Sequence, residues 1–302
     1  MVEDTGKIIS NGFETYTKNF NICIPFILNF FISFLLVVLL AGFGFAGIFG
    51  SSLSNIQNAK SPEEFVSILL PLIGQHIVEI AIIVMIIVLI LFFIQAYFIS
   101  GAIGMAIQAT ESGKSNLSIM RDAGKKNVIN MFLAEILFSL LSLVGIIFIV
   151  PGAMNIDSSK MPTSENIGAF ALLAGGFLLW AAYLIILSIV LAVFRFALVA
   201  DNLGPLESLT ASLSFFKKNT VEVILLFIFI FVIALVFIII DQIIGQIPII
   251  STIWPYISFL ISLAIISPLT TIWWVRLYMS RTNRKLYFDD LLVHPNDIIK
   301  SN

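Results

Sequence analysis

Six apolar runs, at residues 22–49, 77–107, 128–150, 167–200, 221–247 and 253–280, constrain this chain more than any other feature. About 20 helical residues cross the roughly 30 Å of a bilayer's hydrocarbon. No water is available there to satisfy a bare backbone amide, so each run is expected to be a transmembrane α-helix. The runs are continuous rather than alternating, and far longer than a tilted barrel strand needs, which excludes a β-barrel. With only 11% charged residues and a mean hydropathy of +1.07, the chain is expected to be a single all-α transmembrane domain over 1–302. The first run is too long for the apolar core of a secretory signal, so no cleavable signal peptide is expected.

The cations set an orientation. Of 16 Lys and Arg side chains, all but Lys60 and Lys160 fall on or near one side of this six-span threading. By the positive-inside rule that side is cytoplasmic, so both chain ends are expected in the cytoplasm of a cell-membrane protein. A net charge of −2 offers no basic excess, and nucleic acid is not an expected partner. Cys23 is the single cysteine, and His76 and His294 fall on opposite sides of the membrane, so neither a disulfide, a metal site nor a cofactor is expected.

Between the runs a phrase recurs. Lys18-Asn19, Lys126-Asn127 and Lys218-Asn219 each close a mildly amphipathic stretch before an apolar run. Residues 105–127 and 197–219 align without a gap at an offset of 92, with Leu117/Leu209 and Ser118/Thr210 in step. The expected architecture is therefore three helical hairpin repeats, about 1–108, 109–203 and 204–285, followed by a tail at 286–302. Leu206, Leu209, Leu213 and Phe216 form one helical face, as do Ile9, Phe13, Tyr16 and Phe20. Both segments are expected to lie in the cytoplasmic interface, apolar face toward lipid. On the other side, Ser61-Pro62-Glu63-Glu64 has the form of a capping box opening a surface helix. The second and fourth runs exceed what a bilayer requires; Gly101, Gly104, Gly175 and Gly176 are expected to admit neighbouring helices rather than to bend them.

The stretch Phe194-Arg195-Phe196 through Asp201-Asn202-Leu203-Gly204-Pro205-Leu206-Glu207-Ser208-Leu209, then Ser212 and Lys218-Asn219, resembles a phrase in a broad family of prokaryotic membrane proteins. That family is related to YciC-like proteins and to the membrane domain that accompanies some glycerophosphodiester phosphodiesterases. The resemblance implies six helices with amphipathic lead-ins and a membrane location. Ser208 stands where the family phrase has a small Ala, and the phosphodiesterase domain is absent, so no activity carries over. Mitochondrial carriers are excluded, because their Pro-acid-base phrase does not occur in the outward spans.

Ionisable and polar groups at membrane depth are candidates for function, since each is costly unless paired or hydrated. Glu135 lies about 13 Å inside the third run, with Ser139 and Ser142 on the same face. Arg195 lies at similar depth in the fourth and is placed to pair with it. Asn29, Gln95 and Ser258 complete the expected lining of a hydrated cavity, with Glu79 and Asp241 at its outer mouth. Arg276 is expected to snorkel to the headgroups. The fifth run has no polar side chain between Val223 and Ile240 and is expected to face lipid or a partner.

No HExxH, GxSxG or Walker loop occurs, and Asp289-Asp290 lacks the carboxylate that a DDxxD phrase would need at Val293, so an enzyme is not expected. The leading expectation is permeation of an ion or small solute through a channel, pore or transporter. The alternative is a scaffold that uses the interfacial helices and small faces such as Gly42, Ala46 and Gly50 to bind other membrane proteins or bend lipid, with the bilayer, a second copy or a membrane protein as partner. Tags ahead of Met1 and after Asn302 are expected to be digested in inside-out vesicles and protected in right-side-out ones. Protection of just one tag would overturn the threading.

Overall fold

The computed structural model describes residues 3–50, 58, 61–155, 167–248 and 250–287. Lys60, Lys160, His294, Lys300 and the Asp289–Val293 phrase lie outside the described residues. Among those described the structure is all-helical, with six segments long and apolar enough to span a membrane. In chain order the helices are α1 (Thr5–Lys18), α2 (Ile24–Phe49), α3 (Pro62–Gln75), α4 (Ile77–Ser112), α5 (Leu117–Val144) and α6 (Val150–Met154). They continue with α7 (Ile167–Val190), α8 (Phe194–Asp201), α9 (Pro205–Lys218), α10 (Thr220–Ile244), α11 (Trp254–Ile261) and α12 (Ser267–Arg281). As the capping phrase predicts, the Ser61 hydroxyl accepts from the Glu64 N–H at 3.2 Å and starts α3.

The core sits at one end of the bundle. It joins Ala96–Ala109 of α4 to Phe194–Val199 of α8, Leu269–Met279 of α12, and Met131 and Ala134 of α5. That end also gathers Glu3, the loops at 113–116 and 201–204, and residues 282–287. Toward the other end the helices present large apolar side chains outward, among them Phe43, Leu178 and Ile239. In α10 Val223 and Leu226 are buried and Phe227, Phe229, Ile230 and Ile233 pack partly against the core, while Ile228, Phe231, Val232, Leu235, Val236, Ile238 and Ile239 are exposed.

Close approach holds α4 against α5. A Cβ at Gly101 would lie 2.8 Å from the Met120 carbonyl oxygen, and one at Gly104 2.4 Å from the Ala123 Cβ. The three Lys-Asn phrases differ in their backbone setting. The chain breaks at Asn19 and Asn219, so α1 and α9 are separate helices. At Lys126-Asn127 α5 instead runs unbroken, clasped along the extended end of α4. All three asparagines nevertheless donate to the carbonyl four residues back: Asn19 to Thr15, Asn127 to Ala123 and Asn219 to Phe215. The sequence phrase thus has one local geometry in two backbone settings.

The fourth span is interrupted at 191–193, where no glycine stands. The Ser212 hydroxyl of α9 accepts from the Val193 N–H and donates to the Val190 carbonyl, both at 3.3 Å, satisfying both sides of the break. The sixth span contains a π-helical turn at Ser262–Ile266, and the Tyr16 hydroxyl of α1 donates to the Ala264 carbonyl there. Burial pushes the Tyr16 phenol up to about 12, which keeps it a donor across the physiological range.

The amphipathic faces are rotated from their expected placement. In α1, Ile8, Gly12 and Tyr16 are buried against protein, with Trp273 of α12 over Gly12, while Phe13, and Phe20 just beyond its end, point outward. In α9, Ser208, Leu209, Ser212 and Phe215 are buried and Leu206 and Leu213 are exposed. Gly12, Ser208 and Ser212 permit the close approach that buries Ile8, Tyr16, Leu209 and Phe215 beside them.

Gly104→Ala is expected to cost about 1 kcal/mol or more, read as a lower melting temperature in detergent. Gly175→Ala, where nothing lies within 4 Å of an added Cβ, should leave stability unchanged or slightly raised by helix propensity.

Candidate functional site

Arg195 stands just after the break in the fourth span, as the second residue of α8. Its Nε donates to Glu135 Oε1 at 2.5 Å and its Nη2 to Oε2 at 2.9 Å. This parallel two-bond fork is the strong form of a carboxylate–guanidinium contact. The guanidinium also lies 5.3 Å from the Phe194 ring centroid. The Glu135 side chain is 9% exposed and that of Arg195 35%, so the carboxylate is sealed while the cation keeps an open flank.

A second pair is fully enclosed. Arg276 Nη2 and Nε reach Glu3 Oε1 and Oε2 at 2.5 and 3.2 Å, and Nη1 donates to Thr15 Oγ1 at 2.9 Å. Arg276 and Glu3 are 1% and 2% exposed, so Arg276 does not snorkel; it turns into the protein because α1 brings a carboxylate to it. Asn11 Nδ2 donates to Glu3 Oε1 at 2.7 Å, and the Glu3 N–H donates to Ser280 Oγ at 2.8 Å. Arg281 donates to the Glu3 carbonyl at 2.9 Å and to Glu222 Oε1 at 3.2 Å. A third cluster closes the loop after α8: the Tyr278 hydroxyl and Arg284 both engage Asp201, and Arg284 Nη2 donates to the Ala200 carbonyl at 2.7 Å.

The other expected cavity residues disperse. Ser258 donates to Asp241 Oδ1 at 2.9 Å, and Trp254 Nε1 donates to the same oxygen at 2.7 Å. Ser258 therefore belongs with Asp241, near the junction of α10 and α11, and not with Glu135. Ser142 donates back to the Phe138 carbonyl at 2.9 Å, while its own carbonyl accepts from Trp180 Nε1 at 3.1 Å. Gln95 and Ser139 are half-buried. Asn29 Oδ1 is buried without a hydrogen-bond partner among the described residues. Glu79 is exposed and lies 3.7 Å from His76 Nδ1, its neighbour one turn back. Sequence reasoning missed Glu3, Asn11, Thr15 and Asp201; an arginine set inside the sixth run, which is costly without a carboxylate partner, was the available signal.

Removing either partner of the Glu135–Arg195 pair should have unequal effects. Arg195→Ala strands a sealed carboxylate and is expected to cost about 3 kcal/mol. Glu135→Ala leaves an arginine that rehydrates through its open flank, at about 1 kcal/mol. Unfolding in detergent of both single variants and the double variant measures this, with the double costing less than Arg195→Ala alone.

A family model described as a domain of unknown function, DUF7847, matches residues 30–273. The match contains Glu135 and Arg195 and leaves Glu3 and Arg276 outside it. No curated protein and no solved structure matches the chain.

Proposed function

The chain belongs to the DUF7847 family, which carries no assigned activity, and on that premise we propose that it is a non-transporting membrane scaffold. The observation that carries this reading is that its membrane-depth charges are taken up by other side chains of the bundle. Glu135 holds Arg195, Glu3 holds Arg276, Glu222 holds Arg281, and Asp241 takes Trp254 and Ser258. Charges spent in this way fasten helices together and line no path. The docking surfaces are then α1 with the turn after it and α9, which carry outward Phe13, Phe20, Leu206 and Leu213 beside Lys18, Lys217 and Lys218. The outer face of α7, with Phe177, Trp180 and Leu184 around an apolar groove, supplies a lipid- or protein-facing wall.

In this proposal the charged end faces the cytoplasm of a cell membrane, and the three Lys-Asn phrases are copies of one unit. The common asparagine bond supports the latter. No reaction and no cofactor is assigned, in keeping with the resemblance of residues 194–219 to a membrane domain that accompanies, but is not, a phosphodiesterase. Partners are the bilayer, a second copy or another membrane protein.

A permeation reading is the rival, favoured by the unpartnered Asn29 Oδ1 and the open flank of Arg195. Reconstituted protein is expected to pass sodium, potassium, chloride and small organic anions no faster than empty liposomes do. It should copurify with a stoichiometric partner or with itself. Flux above background that disappears in folded Glu135→Ala and Arg195→Ala proteins would replace the scaffold with a permeation pathway.

A further inference from the structure

The surroundings of Glu3 are built as a receptor. Its carboxylate receives the Arg276 fork and the Asn11 amide at 2.5–3.2 Å. Thr15, which accepts from Arg276 Nη1, donates in turn to the Asn11 carbonyl at 2.7 Å, so these groups are held by one another as well as by the carboxylate. The donors stand on α1 and α12, whereas Glu3 precedes α1 on non-helical backbone. Donors exceed what Glu3 uses: Arg281, whose Nη1 reaches the Glu3 carbonyl, has a buried Nε with no acceptor among the described residues. Glu3 is held through its carboxylate and through the N–H and C=O of its two flanking peptide units, so the pocket presents donors to a carboxylate and to the short segment that carries it.

We propose that Arg276, Asn11, Thr15, Ser280 and Arg281 form a carboxylate-binding site that Glu3 fills in cis, and that an external carboxylate takes the site when Glu3 leaves. The chemistry that selects it is planar: two oxygens matched to the guanidinium fork, with a third donor from the Asn11 amide. A small carboxylic acid and an acidic side chain of a partner protein share that chemistry. The inference goes beyond the scaffold reading and stands or falls separately from it, because it concerns occupancy of this pocket and not flux. Withdrawal of Glu3 leaves Arg276 buried and uncompensated, a state that strongly favours capture of a replacement anion.

The test is chemical rescue in the full-length protein. Glu3→Ala empties the pocket, while Glu3→Gln keeps it filled with an uncharged group of the same shape. In detergent, sodium formate is expected to raise the melting temperature of Glu3→Ala saturably by about 5 °C, as for a ligand well above its dissociation constant. The same formate should move wild type and Glu3→Gln no more than sodium chloride of equal ionic strength. Acetate should act as formate does, and phosphate less. An equal response in Glu3→Ala and Glu3→Gln would overturn the proposal. So would rescue by phosphate at lower concentration than formate, or failure of Glu3→Ala to accumulate even when extracted in formate while Glu3→Gln does accumulate.

Discussion

An ion taken out of water without a partner costs several kcal/mol, and this penalty organises the charged end of the bundle. Glu135 and Arg195 join α5 to α8, Glu3 and Arg276 join the segment ahead of α1 to α12, and Asp201 with Arg284 joins α8 to the chain after α12. Each pair links elements far apart in sequence. The apolar core forms where these pairs converge, and the opposite end spreads its apolar faces outward. Lipid offers no hydrophobic drive for helices to associate, so packing at glycine and closure of polar groups carry the specificity.

The same requirement governs the backbone. At two interruptions of a helical ladder, a side chain from another element takes up the freed groups. Ser212 serves the break at 191–193, and Tyr16 serves the π-helical turn of the sixth span. Asn19 accepts from the Ser115 N–H and donates to the Gly113 carbonyl, tying the first Lys-Asn phrase to the loop between α4 and α5. These side chains all come from the amphipathic segments or their ends. Those segments are therefore structural keys to the bundle as well as surface helices, and only part of each remains free to meet lipid or a partner.

Several readings were legible from residues alone. The spans follow from run length, and the Glu135–Arg195 pair from two opposite charges at similar depth. Other features were not. The rotation of α1 depended on Trp273 seeking Gly12, and the unbroken course of α5 through Lys126-Asn127 lies along glycines of α4 that periodicity cannot weigh. Ser258 was grouped with Glu135 in one hydrated lining because both are polar groups within apolar runs, whereas its partner Asp241 arrives across the turn between α10 and α11. Glu3 was invisible because it and Arg276 are separated by 273 residues and only one of them lies in an apolar run.

By itself, the sequence determined the solvent of this protein: long apolar helices, their number, and the side on which cations gather, all because hydration is a local property of each residue. Tertiary structure decided which charges neutralise which, where the fourth span breaks, and which face of each amphipathic helix stays free. Those outcomes depend on distances between segments remote in the chain, which no local pattern encodes.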